Sequence, residues 1–200
     1  MFITFEGTEG AGKSTQIQLL CEYLAKKKRP VAVTLEPGGT ELGLRIRQIL
    51  LSSSYPILPT TETLLYMASR AQLVDEVVAP ALKAGKIVIC DRWVDATIAY
   101  QGYGSGVDLK LIRALARMVT RGIRPDLTLF LDLDVRTGLK RVVSRGEPDR
   151  IEKRALSFHE KVRRGYLELA RRFPKRIRRI PVTTVEETQA RIREAVNRVL

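Results

Sequence analysis

The sequence predicts an α/β protein, a three-layer sandwich built around a five-stranded parallel sheet. Five short apolar segments alternate with longer segments of helical spacing, and strands that alternate with helices pair in parallel through right-handed crossovers. The segment "KIVICD" is apolar without alternation, which is typical of a strand covered on both faces. Prolines fall between the predicted elements or at their edges, where a missing N–H breaks no hydrogen-bond ladder: Pro30, Pro37, Pro59, Pro125 and Pro181.

Each element follows from a local pattern. The first strand is the apolar run from Phe2 to Phe5, and the helix after it carries Ile17, Leu20 and Leu24 at helical spacing. The fourth strand, "DLTLFLDLD", is apolar until its acidic end. We predict strands at about 2–6, 31–35, 86–90, 126–132 and 177–182, and helices at about 13–27, 42–51, 60–84, 94–102, 108–121, 135–146, 153–173 and 184–199. No internal repeat and no linker interrupts the chain, so residues 1–200 are predicted to form one domain.

The composition is that of a globular protein. A hydrophobic content of 44% supports one sizeable core, and the chain has no run of eighteen apolar residues and no cleavable leader. We therefore expect a cytoplasmic protein without a membrane partner. Cys21 and Cys90 are isolated thiols in apolar segments, so we expect reduced core residues rather than a disulfide or a metal site. The single histidine, His159, lies in a helix rich in arginine and lysine and is expected to be a solvated surface residue.

Most of the positive charge lies in one segment. The formal net charge is +13, and residues 136–180 alone hold 16 basic and 5 acidic side chains. Such a segment is most often a solvated helix face, and it can also bind an anionic partner such as nucleic acid. A third use is to close over a polyphosphate.

The stretch "FEGTEGAGKST" matches the phosphate-binding pattern G-x-x-x-x-G-K-[ST]. In this pattern backbone N–H groups surround an anion, the lysine reaches the β- and γ-phosphates, and the hydroxyl binds Mg²⁺. The predicted strand before it and helix after it are the required context, because they bring the loop amides and the positive end of the helix dipole to one point. A phosphate-binding loop of a P-loop nucleoside triphosphate hydrolase fold is therefore predicted at Gly7, Thr8, Glu9, Gly10, Ala11, Gly12, Lys13, Ser14 and Thr15.

Polar or glycine-rich residues also follow the next three strands, as "EPGGT", "DRW" and "DLD". Ligands of open parallel sheets bind beyond the carboxyl ends of the strands, so these residues are expected to share one site. Asp91 could hold Mg²⁺ or its waters, and Arg92 could bind a phosphate with both arms of its guanidinium. Tyr66 and Arg70 lie on one helix face at i and i+4, where the ring could stack on a base and the guanidinium could read the base edge.

Arginines surround a Gly-Glu-Pro break in "RVVSRGEPDRIE". A mobile lid at about 141–153 that folds over phosphates would account for arginines at such a turn. Arg145 or Arg150 is expected to contact a phosphate, and the two are not ranked.

The five motifs "FEGTEGAGKST", "EPGGT", "LLYMASR", "DRW…AYQGYG" and "RGEPDRIE", in this order, resemble the thymidylate kinase family over roughly residues 1–170. The resemblance implies ATP + dTMP → ADP + dTDP with Mg²⁺, on a small α/β kinase fold and usually in a homodimer. It also implies that Lys13 binds the ATP phosphates, that Ser14 binds the Mg²⁺ ion, and that Glu9 lies near the nucleotide sugar or the metal waters.

The same resemblance assigns the acceptor site. Arg47 and Arg92 match arginines that hold the 5′-phosphate of the acceptor, and Arg70 matches a residue that hydrogen-bonds the base edge. Tyr66 falls where the family commonly has a phenylalanine stacked on thymine. The wall around base and deoxyribose would be formed by Thr97, Tyr100 and Gln101, with Tyr100 crowding a 2′-hydroxyl.

In one branch of the family, a loop arginine assists catalysis. This loop has none, so the chain resembles the other branch, in which the lid supplies the arginine. The expected catalytic residues are thus Lys13, Arg92, Arg145 and Arg150.

Rival functions stay open at this point. The nearest is a kinase for another nucleoside monophosphate or for a deoxynucleoside, and a less favoured one is a nucleotide-gated ATPase that binds nucleic acid. No aromatic-interleaved basic sheet supports nucleic-acid binding. A GTPase is excluded because the only asparagine, Asn197, cannot form a guanine-binding motif.

Overall fold

The computed structural model describes residues 1–52 and 54–200, and within them five parallel strands form a single sheet. The strands lie in the order β2-β3-β1-β4-β5. Their carboxyl ends therefore meet at one edge, and each strand lies within one residue of its predicted position. The strands are β1 (Phe2–Glu6), β2 (Val31–Leu35), β3 (Ile87–Asp91), β4 (Leu127–Asp132) and β5 (Ile177–Pro181).

The helices connect these strands and cover the sheet. Their bounds are α1 (Lys13–Lys26), α2 (Glu41–Ser52), α3 (Pro59–Leu73), α4 (Ala79–Lys83), α5 (Val94–Thr97), α6 (Leu109–Val119), α7 (Val135–Arg145), α8 (Leu156–Arg172) and α9 (Val185–Asn197). No helix in the described residues is both long and apolar enough to cross a membrane.

Two predicted helices contain a π-helical segment that the sequence did not indicate. The predicted helix 60–84 is α3, a π-helical turn at Val74–Val78, and α4. Pro80 follows this turn and has no N–H, so the regular α-helical ladder cannot continue through it. The predicted helix 94–102 is α5 followed by a π-helical segment at Ile98–Gly104, which supplies residues to the site described below.

The core lies on both faces of the sheet. Leu20 and Leu24 of α1 pack with Ile192 of α9 against one face, and Tyr166 of α8 stacks on Phe130 of β4 at the other, with ring centroids 5.1 Å apart. Helices therefore cover the sheet on both sides, which confirms the predicted three-layer sandwich. Cys21 and Cys90 are free thiols. Cys90 is fully buried, as predicted for a core residue, whereas Cys21 is only partly buried at the edge of the core.

Candidate active site

The phosphate-binding loop has the backbone that its glycines allow. Gly10 and Gly12 have φ angles of 68° and 83°, in the left-handed region that disfavours side chains. Gly12 ends the loop, and α1 begins at Lys13. A Cβ at Gly7 would lie 2.7 Å from the Leu131 carbonyl oxygen, so the loop start also requires glycine. The loop thus enters α1 with its N–H groups and the helix N-terminus at the carboxyl edge of the sheet.

A second contact that depends on glycine holds the phosphate loop against α7, and no pattern in the sequence predicted it. Gly138 of α7 packs directly on the loop backbone, and a Cβ at this position would lie 2.2 Å from the Glu9 carbonyl oxygen. A Cβ at Gly10 would in turn lie 2.2 Å from the Gly138 carbonyl oxygen. The Arg141 guanidinium donates to the Gly10 carbonyl at 3.4 Å. The helix that leads into the predicted lid is therefore in contact with the phosphate loop.

Glu9, Arg92 and Tyr100 form a charged cluster at the loop. Arg92 Nη2 donates to both carboxylate oxygens of Glu9 at 3.0 Å, and the Tyr100 hydroxyl donates to Glu9 Oε1 at 2.6 Å. Burial raises the pKa of Glu9, but Arg92 together with Lys13 outweighs it and lowers that pKa to about 2. Glu9 is therefore an anion at neutral pH, and it holds Arg92 before any ligand binds.

Arg92 has further contacts that fix its direction. Its φ angle of 72° is in the left-handed region, and its backbone N–H donates to the Phe5 carbonyl. Arg92 Nη1 donates to the Gly7 carbonyl at 3.0 Å and to the Tyr166 hydroxyl at 3.3 Å. A strained backbone stabilised by surrounding contacts is common at functional sites. The guanidinium is thus held at the phosphate loop, at the end of β3, as the sequence predicted for a strand end.

The oxygens near the loop suit Mg²⁺. Asp91 Oδ1 is buried and has no hydrogen-bond partner among residues 1–52 and 54–200. Asp91 lines the same cavity as Ser14, which is exposed. Among the described residues, no group of three or more His, Cys, Asp or Glu could hold a metal ion by itself. Magnesium commonly takes one or two protein oxygens and completes its shell with phosphate and water. The donor set therefore fits an ion that arrives with a nucleotide.

The other end of the cavity contains the predicted base-binding residues. Arg70 is 1% exposed and forms an ion pair with Glu36 at 2.6 Å, while its Nη2 also donates to the Thr97 hydroxyl at 2.9 Å. Burial raises the pKa of Tyr66, so its hydroxyl is neutral and can donate. Glu36 was not predicted, although "EPGGT" contains it. The ion pair therefore holds the Arg70 guanidinium in one position before a ligand binds.

Glu62 of α3 connects the predicted base-binding residues to the predicted lid. It was not predicted from the sequence. Its carboxylate is 0% exposed and accepts hydrogen bonds from Arg150 Nη2 at 2.5 Å, Arg154 Nη2 at 2.7 Å and Gln101 Nε2 at 2.9 Å. Arg150 Nε also donates to the Leu50 carbonyl at 2.6 Å. One buried carboxylate thus anchors two arginines of the basic segment beside the predicted thymine pocket.

The two candidate lid arginines occupy different positions. Arg145 lines the central cavity and pairs with Glu152, while its own side chain is 62% exposed. Arg150 does not line that cavity, because Glu62 and the Leu50 carbonyl hold it. Of these two candidates, Arg145 is therefore the one that lines the cavity.

The prediction for His159 was wrong. The side chain is fully buried rather than solvated, and its ring stands edge-on to Phe158 at 5.2 Å between centroids. Burial lowers its pKa, so the ring is neutral at physiological pH. The cations around it in sequence lie on other faces of α8, which local composition could not reveal.

The polar end of β4 does not join the site. Asp132 pairs instead with Arg163 and Arg179 of the basic segment, and Asp134 caps α7 by accepting from the Thr137 N–H. Part of the positive charge of residues 136–180 is therefore neutralised by carboxylates of the same chain.

One cavity, at the carboxyl ends of β1, β2 and β3, is lined by most of the predicted side chains. It is lined by Glu9, Lys13, Ser14, Arg47, Tyr66, Arg70, Asp91, Arg92, Thr97, Tyr100, Gln101 and Arg145. Arg47 lies there with its Nη1 donating to the Pro37 carbonyl at 2.9 Å. Of the remaining loop residues, Gly7, Thr8 and Ala11 are buried beneath the site, and Thr15 is exposed.

Comparisons with known proteins agree with this geometry. A sequence profile described as "Thymidylate kinase" matches residues 5–192 of the chain. A thymidylate kinase of Deinococcus radiodurans is 49% identical over 198 residues, which cover 98% of this chain and 96% of that protein. One of Carboxydothermus hydrogenoformans is 53% identical over 170 residues, covering 85% of this chain and 84% of the other.

A solved structure is similar over nearly the whole chain. The crystal structure of thymidylate kinase from Ehrlichia chaffeensis superposes with a TM-score of 0.83 at 33% identity, and the match covers 98% of each chain. The similarity therefore includes the sheet, the phosphate loop and the lid segment.

Proposed function

This chain belongs to the thymidylate kinase family, and we propose that it transfers the terminal phosphoryl group of ATP to dTMP, giving dTDP and ADP. The observation that carries the proposal is a single cavity with a phosphate loop at one end and a fixed arginine–glutamate pair at the other, with Arg92 between them. Two anionic nucleotides can meet end to end in such a cavity.

The donor end is suited to a triphosphate. The loop from Gly7 to Thr15 would bind the ATP phosphates through its N–H groups, and Lys13 would neutralise charge on them. Burial and the nearby Arg92 lower the pKa of Lys13, whereas Asp91 and Glu9 raise it. An incoming phosphate adds negative charge and favours the protonated lysine.

The acceptor phosphate would bind to Arg47 and Arg92. Its second pKa is about 6, so the attacking oxygen is already an anion at neutral pH and needs no general base. The work of this site is therefore positioning and charge stabilisation. Arg92 is suited to it because three groups, Glu9, the Gly7 carbonyl and Tyr166, hold the guanidinium before substrate arrives.

The base end would select thymine and deoxyribose. Tyr66 would stack on the base, Arg70 would bind its edge, and Thr97 and Gln101 would close the wall. The buried Tyr100 hydroxyl is tied to Glu9 and would crowd a ribose 2′-hydroxyl. These assignments are proposals that the lining of the cavity supports.

Magnesium would be held by Ser14 and by Asp91, directly or through water, with the nucleotide phosphates completing its shell. When bound, it would neutralise charge on the phosphates during transfer. Lys13, Arg92 and Arg145 would supply the remaining positive charge from the protein. We further propose that residues 141–153 act as a lid that brings Arg145 to the phosphates.

A homodimer is part of the proposal, as is a cytoplasmic location. Helices α2 and α6 both pack on α3. These helices leave several large apolar side chains exposed, namely Leu42, Leu44, Ile49, Leu64, Leu111 and Met118. Exposed apolar side chains on neighbouring helices are typical of a subunit interface. Sedimentation of the protein, with Met118→Glu as the disrupting variant, tests it.

A coupled assay of dTMP, dUMP, CMP, AMP and GMP with ATP, with and without Mg²⁺, tests the activity. Activity that is highest with dTMP and needs Mg²⁺ supports the proposal, whereas a preference for another acceptor selects the rival kinase. Absence of kinase activity together with salt-sensitive duplex binding would favour the nucleic-acid-binding ATPase.

Arg92→Ala tests the proposed transfer mechanism. Loss of this cation should lower kcat/KM for dTMP about 10³-fold or more, by analogy with arginine fingers. Arg45→Ala is the matched control, because Arg45 is exposed on α2 and pairs only with Glu41 in the described residues. Near-normal turnover of Arg92→Ala would remove this role from the mechanism.

A further inference from the structure

A second cavity lies outside the proposed active site. It is an open cavity with a volume of about 520 Å³, and it is lined by residues of α5, of α6 and the segment after it, and of the segment after α8. Its wall is largely apolar and is formed by Val94, Ile98, Ala116, Ile123, Pro125 and Phe173. Phe173 remains 40% exposed at the mouth. The cavity is large enough for a small organic molecule.

The mouth of this cavity is positively charged. Arg113, Arg117 and Arg124 line it and are exposed, and none of them forms an ion pair within 4.0 Å in the described part of the chain. A fourth arginine, Arg176, is neutralised by Asp95, to which it donates at 2.6 and 3.0 Å. Three uncompensated cations beside apolar walls are complementary to a ligand with an apolar body and a negative charge.

The cavity faces away from the proposed dimer surface. Arg113, Ala116 and Arg117 lie on one side of α6, whereas Leu111 and Met118 lie on the opposite side, as the helical period of 3.6 residues requires. A subunit packed on the second group would leave the first group open.

We propose that this cavity binds small aryl monoanions, that is, aromatic carboxylates or sulfonates. The aromatic body would bury against Ile98 and Phe173, and the anionic group would pair with the arginines at the mouth. The proposal depends neither on the transfer reaction nor on dTMP, because none of the carrying observations involves the phosphate loop.

Trp93 makes the proposal directly measurable. It is the only tryptophan of the chain, and it lines this cavity as well as the active-site cavity. Trp93 is 1% exposed, and within the part of the chain that the structure describes its Nε1 has no hydrogen-bond partner. A fluorescent ligand in the second cavity would therefore accept excitation energy from Trp93 at contact distance.

The probe is 8-anilinonaphthalene-1-sulfonate, titrated into the full-length protein in the presence of saturating dTMP and ADP to block the active site. We expect saturable quenching of Trp93 emission. The uncharged analogue N-phenyl-1-naphthylamine should bind more weakly, and added salt should weaken only the sulfonate. Unsaturable quenching, or equal binding of both probes, would overturn the proposal.

Two variants locate the binding. Arg113→Gln/Arg117→Gln should weaken sulfonate binding about tenfold, the effect of losing two partly exposed charge pairs. The control Arg29→Gln/Arg178→Gln removes the same charge from exposed positions elsewhere and should leave binding unchanged.

Ala116→Phe should fill the cavity and abolish quenching while far-ultraviolet circular dichroism stays as in the parent. If Ala116→Phe does not fold, the arginine pair decides alone, and unchanged affinity in that variant overturns the site.

Discussion

Replacing Glu62 by glutamine would test whether one buried carboxylate holds the lid segment in place. The substitution keeps the side-chain volume but removes the charge that Arg150, Arg154 and Gln101 share. Breaking a fully buried ion pair from one side costs about 3–5 kcal/mol. Here the two arginine side chains are 18% and 23% exposed, so water relieves part of the penalty. We therefore expect a loss of about 3 kcal/mol in the free energy of unfolding.

For a chain of this length, that loss corresponds to a fall in Tm of about 6–12 °C. The measurements are thermal unfolding by circular dichroism and the steady-state kinetics of dTMP phosphorylation. Because released lid arginines and a displaced Gln101 would disturb both ends of the cavity, kcat/KM for dTMP should fall at temperatures well below Tm. Glu41→Gln is the control, since Glu41 is exposed and pairs only with Arg45 in the described residues. Equal Tm values for Glu62→Gln and Glu41→Gln would refute the reasoning.

The remaining predictions concern the loop and the buried acid beneath it. Gly138→Ala should destabilise the protein by about 1–3 kcal/mol, because its Cβ would overlap the Glu9 carbonyl oxygen; the exposed Val143→Ala on the same helix should have little effect on urea unfolding. Burial, with Asp95 nearby, raises the pKa of Glu6 to about 8. The folded state therefore keeps a proton that the unfolded chain releases near pH 4.5, and stability should fall by up to about 1.4 kcal/mol per pH unit between pH 4.5 and 8. Glu6→Gln should flatten this slope in urea unfolding series across that range, and an identical slope would contradict it.

Local sequence determined the strands and the phosphate loop. A parallel strand covered on both faces must be continuously apolar, so β1 and β4 are recognisable without any knowledge of their neighbours. The loop depends on glycines and on a lysine at fixed spacing, which are contiguous in the chain. The order of the motifs was specific enough to indicate the family, and the comparisons confirmed it.

Only the tertiary structure decided which charged side chains meet. Glu62 lies 88 residues from Arg150, and Gly138 lies more than one hundred residues from the loop it contacts; no local pattern marks either contact. His159 shows the same limit, because its burial depends on which face of α8 turns inward. The second cavity exists only where separate helices leave a gap. The sequence gives the number of arginines in this chain, but long-range packing determines which of them are neutralised by carboxylates and which remain available to bind an anion.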